Sequence, residues 1–282
     1  MSTLDVPGAQ LYYDVHGSGP TLIMVAGASG TADSFRKAAE HLAASYTVAL
    51  YDRRGFSRSH LTAAQDYDCR LDTDADDLRR LTEHLAERPA VVFGASSGAV
   101  VALHTLIRHP HVVQTLVPFE PPLMRLLPDG QKWVDFFHAI YDLYRGTGPE
   151  PALMRFRAET FTAADALAMA HATAQHDSEQ AHTNVTYWFE HELRQYPTSD
   201  LDLATLTAHA DRIVPTAGRE SHGYPAREAT LELGRRLGRQ VTDLPGGHIG
   251  CITQPVVFAA ALVQAITDHA ASGAPPPSSK RT

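Results

Sequence analysis

Five residues, Gly94-Ala95-Ser96-Ser97-Gly98, constrain this chain more than any others. They lie between an apolar run, Pro89-Ala90-Val91-Val92-Phe93, and a second, Ala99-Val100-Val101-Ala102-Leu103, whose apolar positions continue at helical spacing. That order reads as buried strand, tight turn and helix. A Ser at the apex of such a turn has its hydroxyl pushed into solvent, the arrangement of a nucleophile elbow. The flanking glycines have a steric reason: a sharp turn brings backbone against backbone and leaves no room for a Cβ. The pattern is weak by itself. Its place between strand and helix gives it weight.

The rest of the chain supplies further strands and helices in alternation. Gln10 to Val15 is rich in β-formers, Gly17 to Pro20 is a turn, and Thr21 to Val25 is a continuous apolar run that fits a strand buried on both faces. A loop, Ala26-Gly27-Ala28-Ser29-Gly30, precedes a helix from Ser34 to Ala44, and Tyr46 to Tyr51 is a second buried strand. Thr73 to Glu87 is an amphipathic helix, and Val112 to Phe119 is a strand that ends at Glu120. From Leu123 to Ser199 the strand signal vanishes, and large apolar groups such as Trp133, Phe156, Phe161 and Trp188 sit in helical composition. The α/β pattern resumes with a strand at Asp211 to Ala217, a helix near Arg227 to Leu237, a strand at Gln240 to Leu244 and a helix from Pro255 to His269. The expected architecture is a mostly parallel twisted sheet with helices on both faces. Residues 1–122 and 200–271 form its core, 123–199 an inserted helical cap and 272–282 a disordered tail.

Composition agrees. The 282 residues are 44% hydrophobic and 20% charged, enough for one large α/β domain with an insertion, and the formal net charge of -8 offers no basic face for nucleic acid. No apolar run approaches the roughly 20 residues that span a bilayer. Met1 to Val6 carries neither a charged n-region nor an apolar h-region, so neither signal peptide nor membrane partner is expected. Two distant cysteines, Cys69 and Cys251, make no disulfide framework and fit a reducing cytoplasm. Nothing in the sequence marks an oligomeric interface, and a homodimer stays open.

A hydroxyl at neutral pH needs a base to become a nucleophile. His248, in Leu244-Pro245-Gly246-Gly247-His248, follows the last strand and so lies at the strand C-termini, the edge that also carries Ser96. A carboxylate must then fix the imidazole tautomer. Glu120 and Glu220 both keep the order Ser, acid, His. Glu120, between Phe119 and Pro121 at a strand end, would be partly buried and in need of a partner, whereas Glu220 in a polar stretch could be solvated. The oxyanion formed on carbonyl attack needs donors, for which the backbone N–H groups of Ala28 and Ser97 are placed. Tyr51 to Gly55 is read as stabilising a loop, and His104 as a packed helix residue. The acidic run Asp72 to Glu83 has calcium-loop spacing but Asp77 where that loop demands Gly.

With these residues in hand, the chain resembles the α/β-hydrolase superfamily from about Leu11 to Ala270. The elbow, Ala26-Gly27-Ala28, Asp52-Arg53-Arg54-Gly55 and Gly246-Gly247-His248 carry the likeness. Within it, Ser96-Ser97-Gly98-Ala99 and Glu120 after the next strand are similar to fungal zearalenone lactonases, which take their acid from that position. The likeness implies a serine hydrolase without cofactor or metal that cleaves a carboxylic ester or lactone of a medium-sized apolar substrate through an acyl-enzyme. Two departures stand out. The loop after Val25 begins Ala26-Gly27 in place of His-Gly, and Ser221 occupies the usual acid position of the later strand, which favours Glu120. Aromatic residues of the cap, Trp188 and Trp133 first, are expected to face the substrate. Carbon–carbon bond hydrolases, haloperoxidases and thioesterases use the same scaffold, and some relatives bind small molecules as receptors. Ser at the elbow disfavours dehalogenase and epoxide-hydrolase chemistry, which uses Asp there.

Overall fold

The computed structural model describes residues 2–175 and 179–272. Among these, nine strands form one sheet: β1 (Ser2–Val6), β2 (Ala9–His16), β3 (Thr21–Val25), β4 (Thr47–Tyr51), β5 (His60–Leu61), β6 (Ala90–Ala95), β7 (Val113–Phe119), β8 (Thr216–Gly218) and β9 (Thr242–Leu244). Their order in space is β1-β2-β4-β3-β6-β7-β8-β9, with β5 paired to β2. From β4 to β9 in that order the strands are parallel, and β1 and β2 close one side antiparallel.

The continuous apolar runs are explained by cover on both faces. On β3, Leu22 and Met24 enter a core shared with helices Arg36–Leu42 and Pro255–Ser272. Ile23 and Val25 enter the opposite core, with helices Arg70–Leu85, Ser97–Arg108 and Pro225–Leu237. β6 repeats this, with Val91 and Phe93 on one face and Ala90 and Val92 on the other. The strand order also locates a crevice. After β3 the chain moves out to β4, then returns across β3 to place β6 on its other side. The loops leaving β3 and β6 therefore part in opposite directions, the topological switch point at which open α/β sheets bind ligands.

Between β7 and β8 lie helices Gly130–Thr147, Pro149–Thr160, Ala163–Gln175, Glu179–His191 and Leu203–Ala208. The first, second and fourth supply an apolar cluster that includes Phe136, Phe137, Ile140, Leu153, Trp188 and Phe189, and it reaches down to Phe56 and Met124. An ionic network fastens the same segment to the sheet. Arg53 donates to Asp74 at 2.9 Å and to both oxygens of Glu192 at 2.8 and 2.7 Å. Arg70 donates to Glu192 at 2.9 Å, Arg54 grips Asp77 through two bonds of 2.8 and 2.7 Å, and the Tyr196 hydroxyl donates to Asp74 at 2.8 Å. All six charged groups are buried, three cations against three anions. Burial opposes the charge on Arg53, but Glu192 and Asp74 outweigh it and hold the guanidinium above its usual range.

Several boundaries differ from those expected. The strand expected over Asp211 to Ala217 is reduced to Thr216–Gly218, preceded by a 3-10 turn at Ala210–Arg212 and a single parallel bridge between Ile213 and Leu116. Pro215 has no N–H for the ladder, which accounts for the break. The helix expected at Ser34 to Ala44 is a 3-10 turn, Ala32–Phe35, running into Arg36–Leu42, and that expected from Thr73 starts at Arg70. β1 and β5 were not anticipated. Ser272, assigned to a disordered tail, ends the last helix, and residues 273–282 of that tail lie outside the described residues.

Removing one partner from a buried ion set leaves an uncompensated charge, which costs about 3–5 kcal/mol. Glu192→Gln is therefore expected to lower the unfolding free energy by about that amount, read from urea denaturation. The exposed i,i+4 pair of Arg79 and Glu83 supplies the contrast, with Glu83→Gln changing stability by less than about 1 kcal/mol.

Candidate active site

Ser96 stands between β6 and helix Ser97–Arg108 with φ 53 and ψ -124. This is a conformation that side-chain-bearing residues adopt at a cost of about 1–3 kcal/mol. It is held by its own N–H, which donates to Phe119 O at 2.9 Å, and by close packing on either side. A Cβ on Gly94 would lie 2.5 Å from Gly98 O, and one on Gly98 would lie 2.2 Å from Val25 O. The two glycines of the motif are thus compelled by contact, as the sequence suggests. The Ser96 hydroxyl does not cap the helix it begins.

Glu120 follows β7 directly and also has positive φ, 45°. Its N–H donates to Thr216 O at 3.1 Å, so the residue is clamped by β8. Its carboxylate is buried and fully engaged. Oε1 accepts the N–H of Gly218 at 2.8 Å, and Oε2 accepts from Nδ1 of His248 at 2.6 Å. A carboxylate only accepts, so Nδ1 carries a proton, and in the neutral imidazole Nε2 keeps its lone pair. His248 sits in the loop after β9, turned by Gly246 at φ 84, and is 7% exposed. Ser96 and His248 share no hydrogen bond in this structure. Catalytic hydrogen bonds often tighten only when substrate is bound.

The loop after β3 lies against the elbow. A Cβ on Gly27 would be 3.1 Å from Ser96 Cβ. A turn closed by Gly30 N–H to Gly27 O at 2.9 Å has Ala28 and Ser29 at its centre, so their N–H groups are not consumed by it. Ser97 is the first residue of its helix and has no intrahelical acceptor for its N–H. Arg53 steadies this loop from behind by donating to Gly27 O at 2.8 Å.

Glu220, the alternative acid, is exposed and accepts from Gln254 at 3.3 Å; the structure brings Glu120, and not Glu220, to the imidazole. Trp188 is 4% exposed and packs on Phe156 at 5.2 Å between ring centres; Phe156 packs on Phe161 at 5.3 Å, and Phe161 on His248 at 4.6 Å. Trp133 lies farther off, against Phe136 at 5.5 Å. Phe161 is therefore closer to the imidazole than Phe119, whose ring centre is 6.5 Å away, and Trp188 lies two rings behind Phe161. His104 pairs with Asp72 at 2.6 Å between two helices, as a packed helix residue would. One participant was not singled out by the sequence: Asp165, whose Oδ2 accepts the backbone N–H of His248 at 2.9 Å; Arg53, from the run read as stabilising a loop, supports the loop after β3. Among the described residues no group of three or more His, Cys, Asp or Glu is placed to hold a metal ion. No helix of these residues is long and apolar enough to cross a membrane.

A parallel sheet, a strained Ser at its switch point and an acid–imidazole pair on the same edge are now in place, and the sequence model of the alpha/beta hydrolase fold matches residues 20–211. The chain belongs to the α/β-hydrolase family. An uncharacterized hydrolase, YraK, of Bacillus subtilis is 37% identical over 253 residues, which cover 88% of this chain and 89% of the relative. Among solved structures, the enol-lactonase from Burkholderia xenovorans superposes with a TM-score of 0.71 at 17% identity, over 94% of this chain and all of the other. A thermophilic esterase from Thermogutta terrifontis gives 0.66 at 17% identity, over 95% and 99%. At such identities these structures show the shared fold.

The α/β-hydrolase core also sets the reactivity of the two thiols. Cys251, three residues after His248, is buried, and burial with the nearby Asp165 charge pushes its thiol up to about 12. Cys69 is exposed. With a disulfide reagent such as DTNB at pH 8, the folded protein is expected to release one equivalent of thiolate, slowed by Asp66, which raises the Cys69 thiol, and lost in Cys69→Ser, and a second only on unfolding.

Proposed function

We propose that this protein is a serine hydrolase that cleaves a carboxylic ester or lactone of an apolar, medium-sized substrate. The observation that carries the reading is the 2.6 Å bond from His248 Nδ1 to the buried Glu120, on the sheet edge that also presents Ser96 on its strained turn. The names of the enol-lactonase and esterase neighbours agree with the substrate class. Glu120, at the end of the strand after the elbow helix, supports the lactonase likeness.

The chemistry follows from the groups in place. Ser96 Oγ attacks the substrate carbonyl while Nε2 of His248 takes its proton. Negative charge moves to the carbonyl oxygen, where the N–H groups of Ala28 and Ser97 receive it, with the N-terminus of helix Ser97–Arg108 adding its dipole. The imidazolium is stabilised by Glu120 and returns the proton to the departing alkoxide. Water, activated by the same Nε2, then attacks the acyl-enzyme and frees Ser96. Phe161, with Trp188 behind it, supplies an apolar wall beside the imidazole. The two unpaired cysteines support a reducing, cytoplasmic setting.

A panel of p-nitrophenyl esters, macrocyclic lactones and thioesters tests this. The wild type is expected to take up one equivalent of a fluorophosphonate and to turn over an ester or lactone steadily. Ser96→Ala should abolish both, and Glu120→Gln should lower kcat by about 10³–10⁴, with Glu220→Gln unchanged. A protein labelled at Ser96 without turnover would be a receptor, and wild-type turnover in Glu120→Gln would remove the acid from the mechanism.

A further inference from the structure

Asp165 belongs to the helical segment, yet its carboxylate is spent on the catalytic loop. It is 4% exposed. Its Oδ2 accepts the backbone N–H of His248 at 2.9 Å, across 83 positions of sequence. Thr162 fixes the carboxylate, since its hydroxyl donates to the same Oδ2 at 3.0 Å and accepts the N–H of Asp165 at 3.0 Å. An acidic residue in the first turn of a helix is favoured by the dipole wherever it points. That preference does not explain why this one is buried against another element, where a carboxylate without a partner is costly. One residue before Thr162, the Phe161 ring lies 4.6 Å from the imidazole at 33°. A single turn of the segment thus touches His248 twice, once at the backbone and once at the ring.

Gly247 supplies an independent sign of the same contact. Its φ is not positive, so no left-handed turn demands glycine there. What a Cβ would meet is Asp165 itself, with Oδ2 at 2.1 Å, Cγ at 2.8 Å and Oδ1 at 2.9 Å. The residue is bare because the carboxylate occupies the space.

We propose that Asp165 is a positioning residue that couples docking of the helical segment to the placement of the His248 imidazole. Glu120 holds the ring by Nδ1 from the sheet, and Asp165 holds the main chain of the same residue from the segment. The imidazole is fully set only when both are engaged. This rests on the serine-hydrolase reading, and its consequence is kinetic: losing the Asp165 contact displaces the base without removing any group that binds substrate.

Steady-state kinetics with p-nitrophenyl butyrate test the coupling. Asp165→Ala is expected to lower kcat about tenfold to hundredfold with KM within about twofold of wild type. Asp165→Asn, whose amide oxygen still accepts the His248 N–H, should restore kcat to within about threefold of wild type. Gly247→Ala, which evicts the carboxylate, should match Asp165→Ala, and the double variant should be no worse than either single one. Additive losses, a wild-type kcat in Asp165→Ala, or an Asn variant as slow as the Ala variant would each overturn the proposal. Should Asp165→Ala not fold, Asp165→Asn and Gly247→Ala carry the comparison. Hydrogen–deuterium exchange over residues 245–250 reads the contact without turnover. It should quicken in Gly247→Ala and stay at the wild-type rate in Asp165→Asn, and an unchanged rate in Gly247→Ala counts against the coupling. A wild type that neither takes up a fluorophosphonate nor turns over the ester sinks the hydrolase reading instead, and the exchange rates then still decide whether Asp165 holds the loop.

Discussion

The contact on which the site depends is made without side chains. At the switch point between β3 and β6, the chain leaving β3 and the start of helix Ser97–Arg108 approach until a Cβ on Gly98 would stand 2.2 Å from Val25 O and 2.6 Å from Ala26 O. Gly27 leaves only 3.1 Å for a Cβ beside Ser96. Three pieces of backbone meet there, and the turn has to be sharp enough to let them. That sharpness is the cause of the φ of 53° at Ser96 and of the hydroxyl's position at the lip of the sheet. It also sets Gly27, the neighbour of Ala28, against Ser96, the neighbour of Ser97. A broader turn would lose the proposed nucleophile and its proposed oxyanion donors together.

The loop after β3 needs support of its own, since small residues have little to pack with. Arg53 provides it through Gly27 O, and is itself fixed by Asp74 and Glu192. Three guanidiniums and three carboxylates in the interior are a weak argument for stability, because desolvation offsets most of their attraction and apolar side chains of equal volume often do as well. Apolar side chains could not, however, hold a carbonyl at a set point by a directed bond. Glu192 lies just after helix Glu179–His191, so the network joins the loop after β3 to the helical segment. Asn184 of that helix adds a second tie, accepting Ser57 N–H at 2.9 Å.

What could be read from the sequence was local or ordered along the chain. The elbow announces itself because its glycines, its Ser and its flanking apolar runs are consecutive. His248 and Glu120 follow because a parallel sheet sends every strand end to one edge, so chain order carries spatial information. Choosing Glu120 over Glu220 rested on the apolar neighbours Phe119 and Pro121 and on Ser221 at the usual acid position of the later strand. The rest was hidden for definite reasons. Arg53 and Glu192 are 139 residues apart, so the loop-stabilising role read for Tyr51 to Gly55 gives no sign of the distant carboxylate that fixes it. Asp165 at a helix start has a sufficient local explanation in the dipole, which masks its distant partner. β1 and β5 are short and mostly exposed, so no apolar alternation marks them. Pro215 breaks the strand expected over Asp211 to Ala217, and nothing local marks where pairing resumes.

The Gly-Gly pair before His248 shows how a legible pattern can have an illegible cause. Gly246 is needed for conformation, with φ 84 and a Cβ that would meet Gly250 Cα at 2.7 Å, and both demands arise within five residues of sequence. Gly247 has no such need and is bare because a carboxylate from another part of the fold occupies the space. One glycine turns the loop and the other admits a support, so the same dipeptide gives the imidazole its direction from the sheet and its anchorage from the helices. In the proposed reaction the base accepts a proton and returns it within each turnover, and it gains from both, since misplacement of the ring by about 1 Å costs as much as a hundredfold in rate. The strain at Ser96 and at Glu120 is tolerable on the same account: each is over-determined by hydrogen bonds from a neighbouring strand, Ser96 by β7 and Glu120 by β8.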